Sequence, residues 1–179
     1  MITGHVFIAT SLDGFIARKD GDIDWLTRLD ASAEDHGYEA FIATMDGMVM
    51  GRGTFEKVRS FPEWPYEIPV IVMSRTLNRQ DIPDCLLGRV SLSRLDPPTL
   101  MNKLGNDGWK RAYIDGGRII QSFLRAGLVK DMILTHIPIL LGEGRPLFGQ
   151  FDRDIDLVHL ETHVFPSGLV ESHYRVSGP

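Results

Sequence analysis

Four short apolar runs constrain this chain more than any other feature: "GMVMG" (47–51), "PVIVMS" (69–74), "RAYID" (111–115) and "DMILTHIPIL" (131–140). Each is too short for a buried helix, rich in β-branched or apolar residues, and bounded by turn formers, so each is read as a strand buried on both faces. Between them lie segments with helical spacing. "SAEDHGYEAFIAT" (32–44) begins with the capping residue Ser32 and sets Tyr38, Phe41 and Ile42 on one side. "TFEKVRSF" (54–61) stops before Pro62, and "PPTLMNKLGND" (97–107) opens on prolines, where the missing N–H costs nothing. A further helix starts after Gly117. Strands that alternate with helices in this way predict a mainly parallel sheet covered on both faces.

The two ends complete the pattern. "HVFIATS" (5–11) predicts a first strand, followed by the Gly- and Asp-rich loop "SLDGFIARKDGDIDW", and "RVSL" (89–92) a weaker one. The tail "DLVHLETHVF-PSG-LVESHYRVS" reads as two alternating strands around a short turn, an antiparallel hairpin that closes the sheet. The expectation is one α/β domain over residues 1–179, with about eight strands, most of them parallel. No repeat or linker divides it. A net charge of −5 argues against nucleic acid or an anionic membrane surface as partner. Cys85 is the only cysteine, which excludes an intrachain disulfide and fits a reducing, cytoplasmic setting. The first residues lack the basic and apolar regions of a signal peptide. No run approaches the roughly 18 apolar residues of a membrane span.

In open α/β sheets ligands bind beyond the carboxyl ends of the strands, and three of those ends carry phosphate chemistry here. "MVMGRGTFE" places Gly51, Arg52, Gly53 and Thr54 between strand and helix. "VIVMSRT" ends in Ser74, Arg75 and Thr76. "YIDGGRIIQSFL" sets Gly116, Gly117 and Arg118 at a helix start. Arginine offers phosphate two aligned, charge-assisted hydrogen bonds. Glycine permits both a tight turn and a close approach to unpaired helix-terminal amides, and the pair alone does not choose between those roles. No G-x-G-x-x-G follows the first strand, so this is not the usual Rossmann arrangement.

"VMGRGTFE", "VIVMSRT", "YIDGGRIIQSFL" and "ILTHI" resemble, in order and spacing, segments of dihydrofolate reductases. "SLDGFIA" and "FLRAGLVKDMILTHIPILLGEGRPLF" are more similar still to the reductase domain of bacterial riboflavin-biosynthesis proteins. The resemblance covers nearly the whole chain. It implies a dihydrofolate-reductase-like fold, NADPH as cofactor and hydride transfer to a small heterocyclic substrate; a homodimer stays open as its assembly. By the same resemblance Arg52 and Thr54 meet the cofactor phosphates, with Gly51 allowing close approach. Ser74 and Arg75 hold the 2′-phosphate. Gly116, Gly117, Arg118, Ile119 and Ile120 lie under the pyrophosphate, and Ala9 and Ile16 line the nicotinamide. Asp13, Phe15 and Thr135 fall on the substrate side.

Two departures from the family pattern bear on substrate. Dihydrofolate reductases carry Pro-Trp and then a helix carboxylate that holds the pterin; here Asp24 precedes Trp25, and Asp30, Asp35 and Glu39 all stand as alternatives for the carboxylate. The riboflavin reductases usually carry lysine where this chain has Phe15. The expected substrate is therefore neither dihydrofolate nor, at full efficiency, the phosphorylated aminopyrimidine. The rival reading is a non-catalytic nucleotide-binding module that keeps the fold. His159, Glu161 and His163 would share one face of a regular strand, but as a solvated face rather than a metal site. His136 is read as a packed or surface strand residue, Glu143 as part of a turn, Trp25 as a packed anchor and Cys85 as an inert thiol.

Overall fold

The computed structural model of the chain describes residues 1–27 and 34–177. Its strands are β1 (Thr3–Ser11), β2 (Phe15–Ala17), β3 (Gly47–Gly51), β4 (Val70–Met73), β5 (Val90–Ser93), β6 (Arg111–Asp115), β7 (Val129–Ile137), β8 (Arg145–Pro146), β9 (Leu157–Val164) and β10 (Val170–Val176). The helices are α1 (Tyr38–Ile42), α2 (Arg52–Val58), α3 (Pro97–Asn106) and α4 (Gly117–Arg125). Eight strands form one sheet in the order β5-β4-β3-β6-β1-β7-β10-β9. Its first six strands run parallel, and β10 and β9 are antiparallel to their neighbours. That is the predicted dihydrofolate-reductase-like α/β sheet with its closing hairpin.

Alternation along the central strands divides the core. On β3, Val49 packs with α3 and α4, while Met48 and Met50 pack with α1 and α2. On β6, Ala112 and Ile114 take the first side and Tyr113 the second. Strands whose both faces are buried must be apolar throughout, which is why these runs are continuous. Helix α3 starts where Asp96 accepts the Thr99 N–H at 2.9 Å, with Pro97 and Pro98 in its first turn. His5, fully buried, ties β1 to β7 through Asp131 Oδ1 at 2.7 Å and to Thr3 Oγ1 at 2.8 Å.

Three sequence expectations change. The helix expected over residues 32–44 is α1, only Tyr38–Ile42; Ser32 lies outside the described residues, and Gly37, at φ 71°, sets its start. A two-stranded ribbon of β2 and β8 pairs Phe15 with Pro146 and Ala17 with Arg145, partners far apart in the chain with no local signal. His159, Glu161 and His163 do not share a face. The register slips opposite His173 and Tyr174, so His159 turns to Tyr174 and Thr162, whereas His163 stacks on Phe165. A bulge inserts one residue and reverses the alternation beyond it.

Candidate functional site

The carboxyl ends of β1, β3, β4 and β6 open onto one cleft of about 1260 Å³. It is larger than the roughly 300–1,000 Å³ typical of a small-molecule site, and so has room for an extended ligand. Of the residues singled out by sequence, Ala9, Ile16, Gly51, Arg52, Gly53, Thr54, Ser74, Arg75, Thr76, Gly116, Gly117, Arg118 and Ile119 line it. All three strand ends therefore meet in one groove, because the parallel order β4-β3-β6 makes them neighbours.

Four residues do not line it. Ile120 is fully buried in the core beside Phe123, one helical position past Ile119 and turned the other way. Phe15 pairs with Pro146 in the β2–β8 ribbon and packs against Gly144, while its neighbour Ile16 faces the cleft; the expectation that an aromatic ring at 15 shapes the substrate pocket loses its footing. Asp13 accepts the amides of Leu141 at 3.1 Å and Gly142 at 2.7 Å and the Ser11 hydroxyl at 2.6 Å. The Ser11 bond and these amides hold its carboxyl below the usual range against desolvation. It clamps two loops together. Thr135 donates to Glu171 Oε2 at 3.2 Å across β7 and β10, away from the cleft. Of the alternative carboxylates, Asp30 lies outside the described residues, and Asp35 and Glu39 are exposed and off the cleft.

The cationic side chains differ in how they are held. Arg52 is fixed by Glu56 Oε1 at 2.7 Å and Thr76 Oγ1 at 3.0 Å. Arg75 and Arg118 are exposed and have no ion-pair partner among the described residues. Ser74 Oγ accepts the amides of Thr76 at 3.2 Å and Leu77 at 3.1 Å, which shapes the turn that presents Arg75. Lys57 bonds Asp22 at 2.8 Å, and Lys19 bonds Glu143. Arg145, not singled out in the sequence, also lines the cleft, its guanidinium lying against Gly21 and Gly53.

The two glycines at the head of α4 have separate causes. Gly116 sits at φ 88°, and a Cβ there would lie 2.6 Å from Thr54 Oγ1. A Cβ on Gly117 would lie 2.6 Å from the Pro146 carbonyl oxygen, so this glycine lets the ribbon seat on the helix. The first turn of α4 has no side-chain cap, and helix-initial amides without one are suited to an anion.

Asp115, the last residue of β6, is the cleft residue that sequence reading missed. Burial pushes its carboxyl up to about 6, although the Gly116 amide bonds it. Three phenols line the same end of the cleft. Desolvation first, and the Asp115 charge second, push Tyr38 up to about 12 and raise Tyr66 and Tyr113 as well. Phe7 meets Tyr38 edge-on at 5.5 Å, and Tyr113 donates to the Phe7 carbonyl at 2.8 Å. This end is thus flat-walled, aromatic and carries a carboxyl group that holds its proton far better than an exposed one. Among the described residues no group of three His, Cys, Asp or Glu side chains could hold a metal ion, and no helix is long and apolar enough to cross a membrane.

A parallel sheet with an antiparallel closing hairpin, and a cleft across the ends of β1, β3, β4 and β6, defines a protein of the riboflavin-biosynthesis reductase fold. The chain belongs to the RibD C-terminal domain family, whose model matches residues 3–170. It is 30% identical over 172 residues to the uncharacterized protein YwjB of Bacillus subtilis, covering 94% of this chain and 95% of that one. A crystal structure of a Shewanella sp. PV-4 protein named for riboflavin biosynthesis is 38% identical, with a TM-score of 0.92 over 98% of this chain and 99% of that one. The deaminase/reductase of Thermotoga maritima shares the fold at a TM-score of 0.72 and 14% identity, over 98% of this chain and 57% of that one.

Proposed function

We propose that the chain is an NADPH-dependent reductase that transfers hydride to a small, flat heterocycle. The observation that carries this reading is Asp115, a carboxyl raised to about 6 among the aromatic residues of a cleft that also presents Arg75 and Arg118 without ion-pair partners among the described residues. The residues fit a dinucleotide: the groove is roomy enough, and the uncapped first turn of α4 and the two guanidiniums suit phosphates. Arg75 would hold a 2′-phosphate, the head of α4 the pyrophosphate, and Ala9 and Ile16 the nicotinamide. When bound, the cofactor supplies the hydride.

The protein's own part is placement and a proton. Phe7, Tyr38, Tyr66 and Tyr113 offer flat faces and phenolic hydroxyls to a planar ring. Asp115 keeps an appreciable protonated fraction near neutral pH, so it can both pair with ring N–H groups as an acceptor and give a proton as a general acid. Carboxyls tuned upward by burial in a cleft are favoured for that work. Membership of the RibD C-terminal domain family, and likeness to the Shewanella protein named for riboflavin biosynthesis, support a heterocyclic substrate.

Titration with NADPH, followed by nicotinamide fluorescence, should saturate in the micromolar range, and NADPH should be consumed with a flat heterocyclic acceptor. No saturable change up to millimolar NADPH would remove this reading. Saturation without turnover across dihydrofolate, the riboflavin intermediate and neutral pteridines or quinones would leave a nucleotide-binding module.

A further inference from the structure

Three of the cations that line the cleft are neutralised within the fold. Lys19 pairs with Glu143, Arg52 with Glu56 at 2.7 Å and Lys57 with Asp22 at 2.8 Å. Arg75, Arg118 and Arg145 line it with no carboxylate partner among the described residues. The position of Arg145 is set by the β2–β8 ribbon. It pairs with Ala17, and the next residue, Pro146, lies against the head of α4, where its carbonyl oxygen would be 2.6 Å from a Cβ on Gly117. From there the side chain extends to the first turn of α2. A Cβ on Gly53 would lie 3.1 Å from its Nη1, and one on Gly21 2.9 Å from its Cζ. The Nε donates to the Lys19 carbonyl at 3.3 Å, and the two Nη groups have no acceptor among the described residues.

We propose that Arg145 binds the pyrophosphate of the cofactor together with the head of α4, and thereby ties the turn at residues 18–22 to the bound cofactor. This rests on the NADPH reading above. Each phosphate of a dinucleotide's pyrophosphate keeps a full negative charge, whereas a helix head supplies only about half a positive one. A full cation beside that head balances more of the pair. The planar fork of arginine offers aligned N–H groups to phosphate oxygens, and in Arg145 the Nη groups are the ones without acceptors. Arg52 has its fork taken by Glu56 and Thr76. The turn is closed by the Arg18 amide on the Asp22 carbonyl at 2.8 Å and the Gly21 amide on the Arg18 carbonyl at 2.9 Å. Lys57 pins it to α2 through Asp22, and Arg145 holds it through the Lys19 carbonyl. An anion that draws on the Nη groups leaves the Nε bond in place, so phosphate binding and the seating of the turn share one side chain.

Calorimetric titration of the full chain and of Arg145→Gln, with NADPH and with adenosine 2′-monophosphate, tests this. The second probe carries the 2′-phosphate and lacks the pyrophosphate. Arg145→Gln should weaken NADPH roughly ten- to a hundredfold, the worth of a charge-assisted contact, and leave adenosine 2′-monophosphate unchanged. In trypsin digests NADPH should slow cleavage after Arg18 and Lys19 in the parent and not in the variant. Unchanged NADPH affinity in a variant with the parent's far-UV spectrum overturns the proposal. So does equal weakening of both probes, which would make Arg145 a strut of the ribbon, and equal protection of both chains overturns the tie to the turn. A parent that binds neither probe removes the NADPH reading itself, a result distinct from a parent and a variant that bind NADPH alike.

Discussion

Replacing Asp115 with Asn separates what this residue does for the fold from what it does for the site. The carboxyl rises from 3.8 to about 6 on burial, a displacement of roughly two pH units at about 1.36 kcal/mol each, so the folded chain bears at most about 3 kcal/mol for the ionised form. Asp115 is only half-buried, and water in the cleft screens it, so about 1–2 kcal/mol is the expected size. The sign follows from proton uptake. Between pH ~4 and ~6 the folded chain holds a proton that the unfolded chain releases, so this group's contribution to stability falls as pH rises through that interval and is flat above it. Asn carries no charge and can still accept the Gly116 amide. The variant should therefore be more stable than the parent at pH 8, with roughly half of that advantage gone by pH 5. Urea denaturation at both pH values reads this directly. The same variant should lose turnover by roughly 10²-fold or more, the typical worth of a general acid, with NADPH affinity nearly unchanged. A variant destabilised equally at pH 5 and pH 8 would refute the burial argument, and one with full turnover would remove Asp115 from the chemistry.

Arg75→Ala should weaken NADPH by roughly ten- to a hundredfold, the cost of a charge-assisted contact, and leave NADH almost unaffected; comparative fluorescence titrations decide, and equal weakening would make Arg75 structural. Gly117→Ala drives a Cβ toward the Pro146 carbonyl at 2.6 Å, so the β2–β8 ribbon must shift. The melting temperature should fall by several degrees, consistent with the roughly 1–3 kcal/mol of an overpacking change, and nicotinamide binding should weaken with it because Ile16 lies on that ribbon.

The order of strands and helices, the parallel sheet and the three phosphate-suited strand ends were all legible in the amino-acid sequence. Each rests on a local cause: a strand buried on both faces must be continuously apolar, the start of α3 is written in its Asp96 cap and two prolines, and a strand-to-helix turn at φ 88° needs glycine. What lay beyond reach depends on contacts distant in sequence. "YIDGG" reads as a strand end, and nothing in those five residues says that Asp115 shares its pocket with tyrosines from positions 38 and 66 or that burial lifts its carboxyl. Phe15 fits the position of a substrate-side residue until the ribbon with β8, far along the chain, turns it outward. The face of His159 depends on one inserted residue whose effect appears only against β10. Period and propensity act within a few residues and so are written along the chain. The burial that shifts a titration, the pairing of two short strands and the register across a bulge exist only once the sheet has closed around them.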